Sequence, residues 1–471
     1  MDKKQSLFLN NIWWNNEKIS ENFLLNRTRN EFENIIKKLD EKRILSIIGP
    51  RRVGKSTLIY QTINYLLNEK KIEPKRILLF SGDDPSLFFD ESDKLSDVLD
   101  VYFNEILEED INNLKSKVYI FIDEIHFIKK WQNYLKVCFD RKYNIKFIIT
   151  GSSSTHLYKN ANESLMGRIE NEYVLPLGFN QFLNFYQTYV AKEEDIILPK
   201  FNLDKPIESF KKIEPYYYNE KLKTKVKRIL KEYILVGGYP EYFEERDIDI
   251  WQKKLVDDII SRGIYKDILN IYNIKSPEIL EKLMYYISDN TSQTFSYSGM
   301  TTNFGVDTVT IINYIGYLKQ AFLINVLENY SSNIGKVIRS NKKLSILDNG
   351  IQNGLLKRKQ IDSNAEGHIV ESMLDFDMRL LCEKENYVSY YYRNSKKEEI
   401  DIILDRKIDI IPIEVKYTNQ IEKSDVKTIK NFLESNMNNK IGKTKYGIVV
   451  TKDIYKKEDN IFFIPYWLFN I

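Results

Sequence analysis

Apolar residues along this chain follow two rhythms. Short unbroken runs, Ile44-Leu-Ser-Ile-Ile48, Arg76-Ile-Leu-Leu-Phe80, Lys117-Val-Tyr-Ile-Phe-Ile122 and Lys146-Phe-Ile-Ile-Thr150, have the length of strands buried on both faces. Between them apolar positions recur at helical spacing: Leu58, Ile59 and Leu66 after the first run, residues 95–114 after the second, Trp131 to Arg141 after the third. Strands alternating with helices predict a parallel sheet covered on both faces, the α/β class. A polar, aromatic lead-in with Trp13-Trp14 and a helical stretch from Asn30 to Leu39 precede the first strand.

The second half of the chain changes pattern. A polar, Lys- and Tyr-rich segment from about 190 to 222 reads as an insertion or lid, and helical residues 223–236 lead into the rigid turn Gly237-Gly-Tyr-Pro240. From Ser276 onward come Pro277 to Ser288, Met300 to Phe304 and Asp307 to Phe322, each helical, then apolar Leu323-Ile-Asn-Val-Leu327. That order predicts a winged helix-turn-helix, with Thr308, Thr310, Asn313 and Tyr314 facing a major groove or, in the alternative, a winged helix of purely architectural use. The last hundred residues bring a helix around Gly367-His-Ile-Val-Glu371 and two hairpin-like strands, Glu399-Ile-Asp-Ile-Ile-Leu404 and Ile410-Ile-Pro-Ile-Glu-Val-Lys416.

Chemistry enters at the end of the first strand. Gly49-Pro50-Arg51-Arg52-Val53-Gly54-Lys55-Ser56-Thr57 joins a strand to a helix through a glycine-spaced loop. Such a loop points backbone N–H groups and a helix N-terminus at phosphates, the lysine neutralises the outer phosphates, and the serine holds magnesium, so ATP or GTP is expected here. Trp13-Trp14 is read as packing rather than as a cover for an adenine ring. The next strand but one ends in Asp123-Glu124, where the first carboxylate orders Mg²⁺ and the second polarises an attacking water, which implies hydrolysis and not binding alone. The following strand ends in Thr150-Gly-Ser-Ser-Ser154, with Thr150, Ser152 and Ser153 as candidates to sense a γ-phosphate. Arg168 is a candidate arginine finger, with an ordinary surface arginine as the equal alternative.

A second constellation lies near the C-terminus. Glu414 and Lys416 differ by two positions and share a strand face, Asp401 lies on the neighbouring strand, and Glu371 joins from the preceding helix. Hard oxygen ligands of this kind suit Mg²⁺ or Mn²⁺, with the lysine stabilising negative charge as a phosphodiester is cut. A solvated strand face with an Asp401–Lys416 ion pair is the plainer reading; the buried character of Ile410 to Val415 argues against idle charges there.

Composition narrows the picture. At 471 residues and 43% hydrophobic content the chain is long enough for about three domains with real cores. No apolar run has the length of a membrane span and no signal-peptide core follows Met1, so a cytoplasmic protein is expected. Cys138 and Cys382 alone exclude a disulfide framework or a cysteine zinc site. A net charge of +3 gives no general drive toward nucleic acid, and Ser276 to Lys343 carries six basic residues (Lys282, Lys319, Lys336, Arg339, Lys342, Lys343) against five acidic ones, a weak footprint.

Taken with Leu175-Pro-Leu-Gly-Phe179, Gly167-Arg168, Gly237-Gly-Tyr-Pro240 and Ile413-Glu-Val-Lys416, these motifs resemble a family of prokaryotic AAA+/STAND-like P-loop ATPases with a C-terminal PD-(D/E)XK nuclease-like domain of unknown function. The resemblance runs through nearly the whole chain. It implies a P-loop NTPase core at 43–186 after a lead-in at 1–42, a helical lid or connector at 187–275, a winged helix-turn-helix at 276–345 and an α/β PD-(D/E)XK nuclease-like domain at 346–471. It implies Lys55, Ser56, Asp123 and Glu124 as the ATPase machinery, gives Arg168 a role within or between subunits, and carries the nuclease motif onto Glu371, Asp401, Glu414 and Lys416. Ile400 stands where the motif's name has proline. The functions expected are ATP hydrolysis coupled to action on DNA, in a possible homo-oligomer and with no membrane, or a nucleotide-regulated scaffold with a silent nuclease-like domain; phosphoryl transfer to a small molecule is a third reading that Glu124 disfavours.

Overall fold

The computed structural model describes residues 2–15, 18–88, 94–151, 165–269, 272, 274, 276–331, 333–436 and 444–471. Two compact units divide the chain, Met1–Leu175 and Pro176–Ile471.

In the first unit five strands, β1 (Ile44–Ile48), β2 (Ile77–Ser81), β3 (Val118–Asp123), β4 (Ile145–Gly151) and β5 (Ile169–Tyr173), form a wholly parallel sheet in the order β2-β3-β4-β1-β5. Every residue of β1 is buried, as continuous apolar runs require when helices cover both faces. The helix Lys55–Asn68 packs Leu58, Ile59, Ile63 and Leu66 inward. This core resembles a P-loop NTPase. At one edge, β5 was invisible as an apolar run because it reads Ile-Glu-Asn-Glu-Tyr; Glu170 and Glu172 lie on one face and are taken up by Lys38 of helix Glu31–Lys38, at 3.0 and 2.8 Å. At the other edge Trp13 and Trp14 are buried and both donate their indole N–H to the Ile77 carbonyl, at 3.0 and 2.9 Å, so the pair is packing.

The second unit holds two sheets. β6 (Gln293–Phe295), β7 (Ile324–Leu327) and β8 (Lys342–Ile346) make an antiparallel sheet in the order β6-β8-β7, beside helices Pro277–Asp289, Tyr297–Phe304 and Thr308–Gln320. β9 (Val388–Arg393), β10 (Glu399–Asp405), β11 (Ile410–Lys416), β12 (Gly447–Thr451), β13 (Lys456–Glu458) and β14 (Ile461–Pro465) form a mixed sheet in the order β13-β14-β12-β11-β10-β9. The long helix Ser363–Glu385 precedes β9, and helix Lys427–Asn436 makes the crossover between the parallel neighbours β11 and β12. Val426, Ile429, Leu433, Val449, Ile461 and Phe463 form one core of this sheet.

The Gly237-Gly238 turn is a clamp. Asp348 caps helix Asn349–Leu355 through the N–H groups of Gly350 and Ile351 and accepts the N–H of Gly238 at 2.7 Å. Gly237 sits at φ +78°, and a Cβ there would stand 2.3 Å from Asp348 Oδ1. Asn349 and Asn353 then cap the carbonyls of Tyr233, Ile234 and Leu235 at the end of helix Glu220–Val236.

Candidate functional site: a phosphate loop and a carboxylate–lysine cluster

β1 runs into the loop whose last residue, Gly54, has φ +94° and precedes helix Lys55–Asn68; the left-handed backbone there favours glycine. The loop folds around its own lysine. Lys55 is buried and its ammonium donates to the carbonyls of Gly49 and Pro50, each at 2.8 Å. Arg51, Arg52 and Thr57 are half-buried, Val53 is buried and Ser56 is exposed at the helix start. Behind the loop, Arg29 donates to the Val53 carbonyl at 2.6 Å and the Leu175 carbonyl at 2.5 Å while pairing with Glu31 at 3.0 Å.

Three neighbouring strand ends meet in front of it. Ser56 Oγ donates to Asp123 Oδ2 at 2.7 Å, the Thr150 hydroxyl donates to Asp123 Oδ1, and the backbone N–H of Glu124 donates to Thr150 Oγ1 at 3.0 Å. Glu124 has a left-handed backbone, φ 47° and ψ 45°, and its carboxylate lies 3.3 Å from Nδ1 of His126. A crevice of about 80 Å³ opens beside this arrangement, lined among others by Asn10, Tyr60, Ser81 and Asp123. Burial, reinforced by the charge of Asp123, pushes the Tyr60 phenol up. The hydroxyl of Ser56 and the carboxylate of Asp123 are hard oxygen donors that fit Mg²⁺ and would hold it, with Lys55 facing the phosphates. Ser152, Ser153 and Ser154 lie outside the described residues.

Arg168 stands elsewhere. Its carbonyl accepts the N–H of Ile44, the first residue of β1, so it sits at the edge of the sheet opposite the phosphate loop. Its guanidinium grips Asp140 at 2.7 and 3.1 Å. About four strand residues at roughly 3.3 Å each separate it from the loop of its own chain.

In the second unit Glu371, Asp401, Glu414 and Lys416 do come together, around a lysine that no sequence motif marks. Lys343 of β8 is only 4% exposed, and its ammonium lies 2.5 Å from Glu371, 3.0 Å from Asp401 and 3.1 Å from Glu399. Burial works against its charge, but Asp401, Glu371 and Glu399 outweigh it and hold the ammonium charged. Asp401 also accepts the N–H of Val415 at 2.8 Å, and Lys416 pairs with Glu414 at 2.8 Å. Burial and then the charge of Asp401 push the Glu414 carboxyl up to about 8, and the same causes push Glu371 up; Asp401, despite its burial, is held down by Lys343 and Val415. Among the described residues no group of three or more His, Cys, Asp or Glu side chains is arranged to hold a metal ion. The expectation that Glu371, Asp401 and Glu414 ligate Mg²⁺ or Mn²⁺ thus meets an ammonium where the ion would sit.

The third helix of the 276–345 stretch also departs from expectation. Tyr314 is buried and cannot face a groove, and Thr310 is half-buried with its hydroxyl on Asp307 at 2.7 Å. Thr308 and Asn313 are exposed, beside Val309 and Ile312.

Residues 41–183 match the family model of an AAA domain. The first unit therefore carries an AAA-type P-loop ATPase domain. Residues 227–362 and 366–469 match two domains of unknown function, DUF8612 and DUF4143. Beyond the ATPase domain the likeness extends to whole proteins: two uncharacterized proteins of Methanocaldococcus jannaschii, MJ1637 and MJ1544, are 27% and 26% identical over 91% and 92% of this chain and 84% and 89% of their own lengths. An uncharacterized protein of Haemophilus influenzae is 25% identical over 70% of this chain and 73% of its own. A Walker-type ATPase of Pyrococcus abyssi superposes with a TM-score of 0.42 at 16% identity, covering 70% of this chain and 96% of that one. An ATPase domain of this kind implies a bound nucleotide and, as a rule, Mg²⁺. No described helix is long and apolar enough to cross a membrane.

Three contributors escaped sequence reasoning. Arg29 acts on backbone carbonyls, which leave no sequence signature, and His126 was overlooked two residues beyond Glu124. Lys343 carried the one usable signal: a charge next to the apolar run Leu344-Ser-Ile-Leu347, on a strand position that alternation turns inward.

Proposed function

We propose that the protein is an ATP-hydrolysing switch whose ATPase domain drives changes in a DNA-contacting second half. The observation that carries the hydrolytic part is the chain of contacts from Ser56 through Asp123 and Thr150 to Glu124 at three adjacent strand ends. Ser56 and Asp123 would hold Mg²⁺, Lys55 would neutralise the phosphates as charge develops on transfer, and Glu124, turned by its left-handed backbone, would orient the attacking water. Thr150 would read the γ-phosphate through its hydroxyl, so that its loss frees Asp123 and the Glu124 N–H together. A nucleotide and its Mg²⁺ would exchange one set of oxygen partners of the loop and Asp123 for another, which suits a switch.

The DNA part is supported by the order helix, strand, helix, helix, strand, short helix, strand across 277–346 and by the β6-β8-β7 arrangement, which would suit a winged helix-turn-helix. Exposed Thr308 and Asn313 would reach base edges. A second reading, a scaffold that binds protein through the same helix, is favoured by exposed Val309 and Ile312 on that surface and by the near balance of charge. The strands β9 to β12 following helix Ser363–Glu385, with a helix between β11 and β12, would suit a nuclease-like α/β module.

Steady-state ATP turnover with and without duplex DNA tests the proposal. Glu124→Gln is expected to lower turnover about 10²-fold or more while nucleotide binding persists. Normal hydrolysis in that variant removes Glu124 from its role, and turnover indifferent to DNA removes DNA as the partner.

A further inference from the structure

We infer that Lys343 is the resident cation of the pocket formed by Glu371, Glu399 and Asp401, so that the nuclease-like region takes no divalent metal, cuts no nucleic acid, and serves as a module locked by that lysine onto the β6-β8-β7 sheet. The inference rests on the nuclease-like reading of residues 363–471 and is independent of the ATPase domain.

The Lys343 ammonium donates to Glu399 at 3.1 Å and Asp401 at 3.0 Å and stands in ion-pair contact with Glu371. A lysine ammonium has three N–H donors, and three carboxylates stand within 2.5 to 3.1 Å of it. The second oxygen of Asp401 is taken by the Val415 N–H, and Glu414 is engaged by Lys416. Mg²⁺ asks for six oxygens at about 2.0–2.1 Å in octahedral array. Here the oxygens converge on a nitrogen, at distances set by N–H donation.

The strand that carries the lysine is paired on both sides. Lys343 lies on the central strand of its sheet, opposite Thr294 of β6 and Leu327 of β7. Ser345, two residues on and on the same face, donates to Asp375 of helix Ser363–Glu385, which also accepts from Asn325 at 2.8 Å. Thr291 and Ser292 meet Ser372 of that helix at 2.8 and 2.9 Å. Backbone pairing continues the seam, from Tyr330 N–H to Tyr391 O at 2.6 Å and from Tyr391 N–H to Glu328 O at 3.0 Å. These contacts hold the strand that carries Lys343 against helix Ser363–Glu385, and the ammonium could leave its three carboxylates only by stranding their charge. A buried ion cluster of this kind specifies one docking arrangement, because any slip strands charge away from water.

Equilibrium Mn²⁺ binding to the nucleotide-free full-length protein, followed by EPR, is the first test. Wild type and Asp401→Asn are expected to bind the same number of ions, and wild type is expected to leave supercoiled plasmid intact in Mn²⁺; loss of an ion on Asp401→Asn, or nicking that Asp401→Asn abolishes, overturns the inference. The second test is thermal melting of Lys343→Met, Asp401→Asn and the double variant. Each single variant should melt several degrees lower, and the double variant should recover much of the loss, since charge then leaves both sides together; additive losses overturn the lock. Should Lys343→Met alone fail to fold, folding of the double variant supports the inference and its failure overturns it. ATP turnover on the wild-type preparation reports separately on the proposed function, so a dead ATPase would sink that reading and leave this one standing.

Discussion

Both units build a site from lysines and carboxylates, and they complete it in opposite ways. At the phosphate loop Lys55 rests on the carbonyls of Gly49 and Pro50, and Asp123 on the hydroxyls of Ser56 and Thr150. In the second unit Lys343 rests on Glu371, Glu399 and Asp401, and Glu414 on Lys416. Charges held by neutral partners can exchange them for a ligand at small cost, because a hydroxyl or carbonyl freed near a crevice finds water or an ion instead. Charges held by buried charges cannot, because each departure strands an ion in a low dielectric. Readiness for a ligand is thus written in the partners of a charged group more than in the group itself.

The same substitution at the two sites should therefore fail in different assays. Asp123→Ala is expected to cost ATP turnover 10²-fold or more, with a small change in melting, since its partners, two hydroxyls and the N–H of Glu124, can be satisfied by water. Asp401→Ala is expected to register in melting, by about 3–5 kcal/mol, through the uncompensated Lys343. A reversed pattern breaks the comparison. Next in size is Arg29→Ala, which leaves Glu31 and two carbonyls without their guanidinium; about 3 kcal/mol of destabilisation and weaker nucleotide binding are expected together, by denaturant unfolding and calorimetry. Arg29→Lys should restore little, because one ammonium cannot span Val53, Leu175 and Glu31 as the fork does.

How far the sequence foretold each site follows from the same contrast. The strands β1, β3 and β4, the loop and Asp123-Glu124 were legible because they are local: an unbroken apolar run ending in the residues that do the chemistry. β5 was hidden by Glu170 and Glu172, which only become buried-edge residues once Lys38 lies over them. Arg29 was hidden because its partners are carbonyls 24 and 146 residues away. The residues Glu371, Asp401, Glu414 and Lys416 were found, but Lys343 was counted toward a DNA footprint, since its acceptors Glu399 and Asp401 come 56 and 58 residues later. Motifs reveal which groups gather; they do not reveal a cation supplied by another sheet.

The units should also part company with pH. In the second unit burial pushes the Asp377 carboxyl up to about 7, against the hydrogen bond from Tyr466, and Asp348 up to about 6, against three backbone N–H groups. The folded chain keeps those protons to higher pH than the unfolded chain does, so the stability they contribute is whole below about 4 and is lost as pH rises through 6 and 7. In the first unit burial, aided by the charge of Lys117, lowers Lys146 to about 8. Its stability is whole above the unfolded value near 10.5 and is lost as pH falls through about 8. Each group sets a slope of at most about 1.4 kcal/mol per pH unit. Domain-resolved melting from pH 4 to 10 should show slopes of opposite sign, and Asp377→Asn should flatten the acid-side slope of the second unit alone.

The smallest effect is expected at Arg168, and it sharpens what belongs to the phosphate site. Its pair with Asp140 is partly exposed, a kind of contact worth about 0–1 kcal/mol, so Arg168→Ala should barely move the melting temperature. Its place beside Ile44, at the far end of β1 from the loop, predicts less than a twofold change in ATP turnover at concentrations where the chain is monomeric. An arginine reaching a neighbour's nucleotide would behave otherwise: turnover would rise with protein concentration in the wild type, and Arg168→Ala would remove that rise, by factors of 10³ or more for a finger. Turnover measured across a hundredfold range of protein concentration separates the two, because a surface ion pair has no means of making catalysis depend on a second copy.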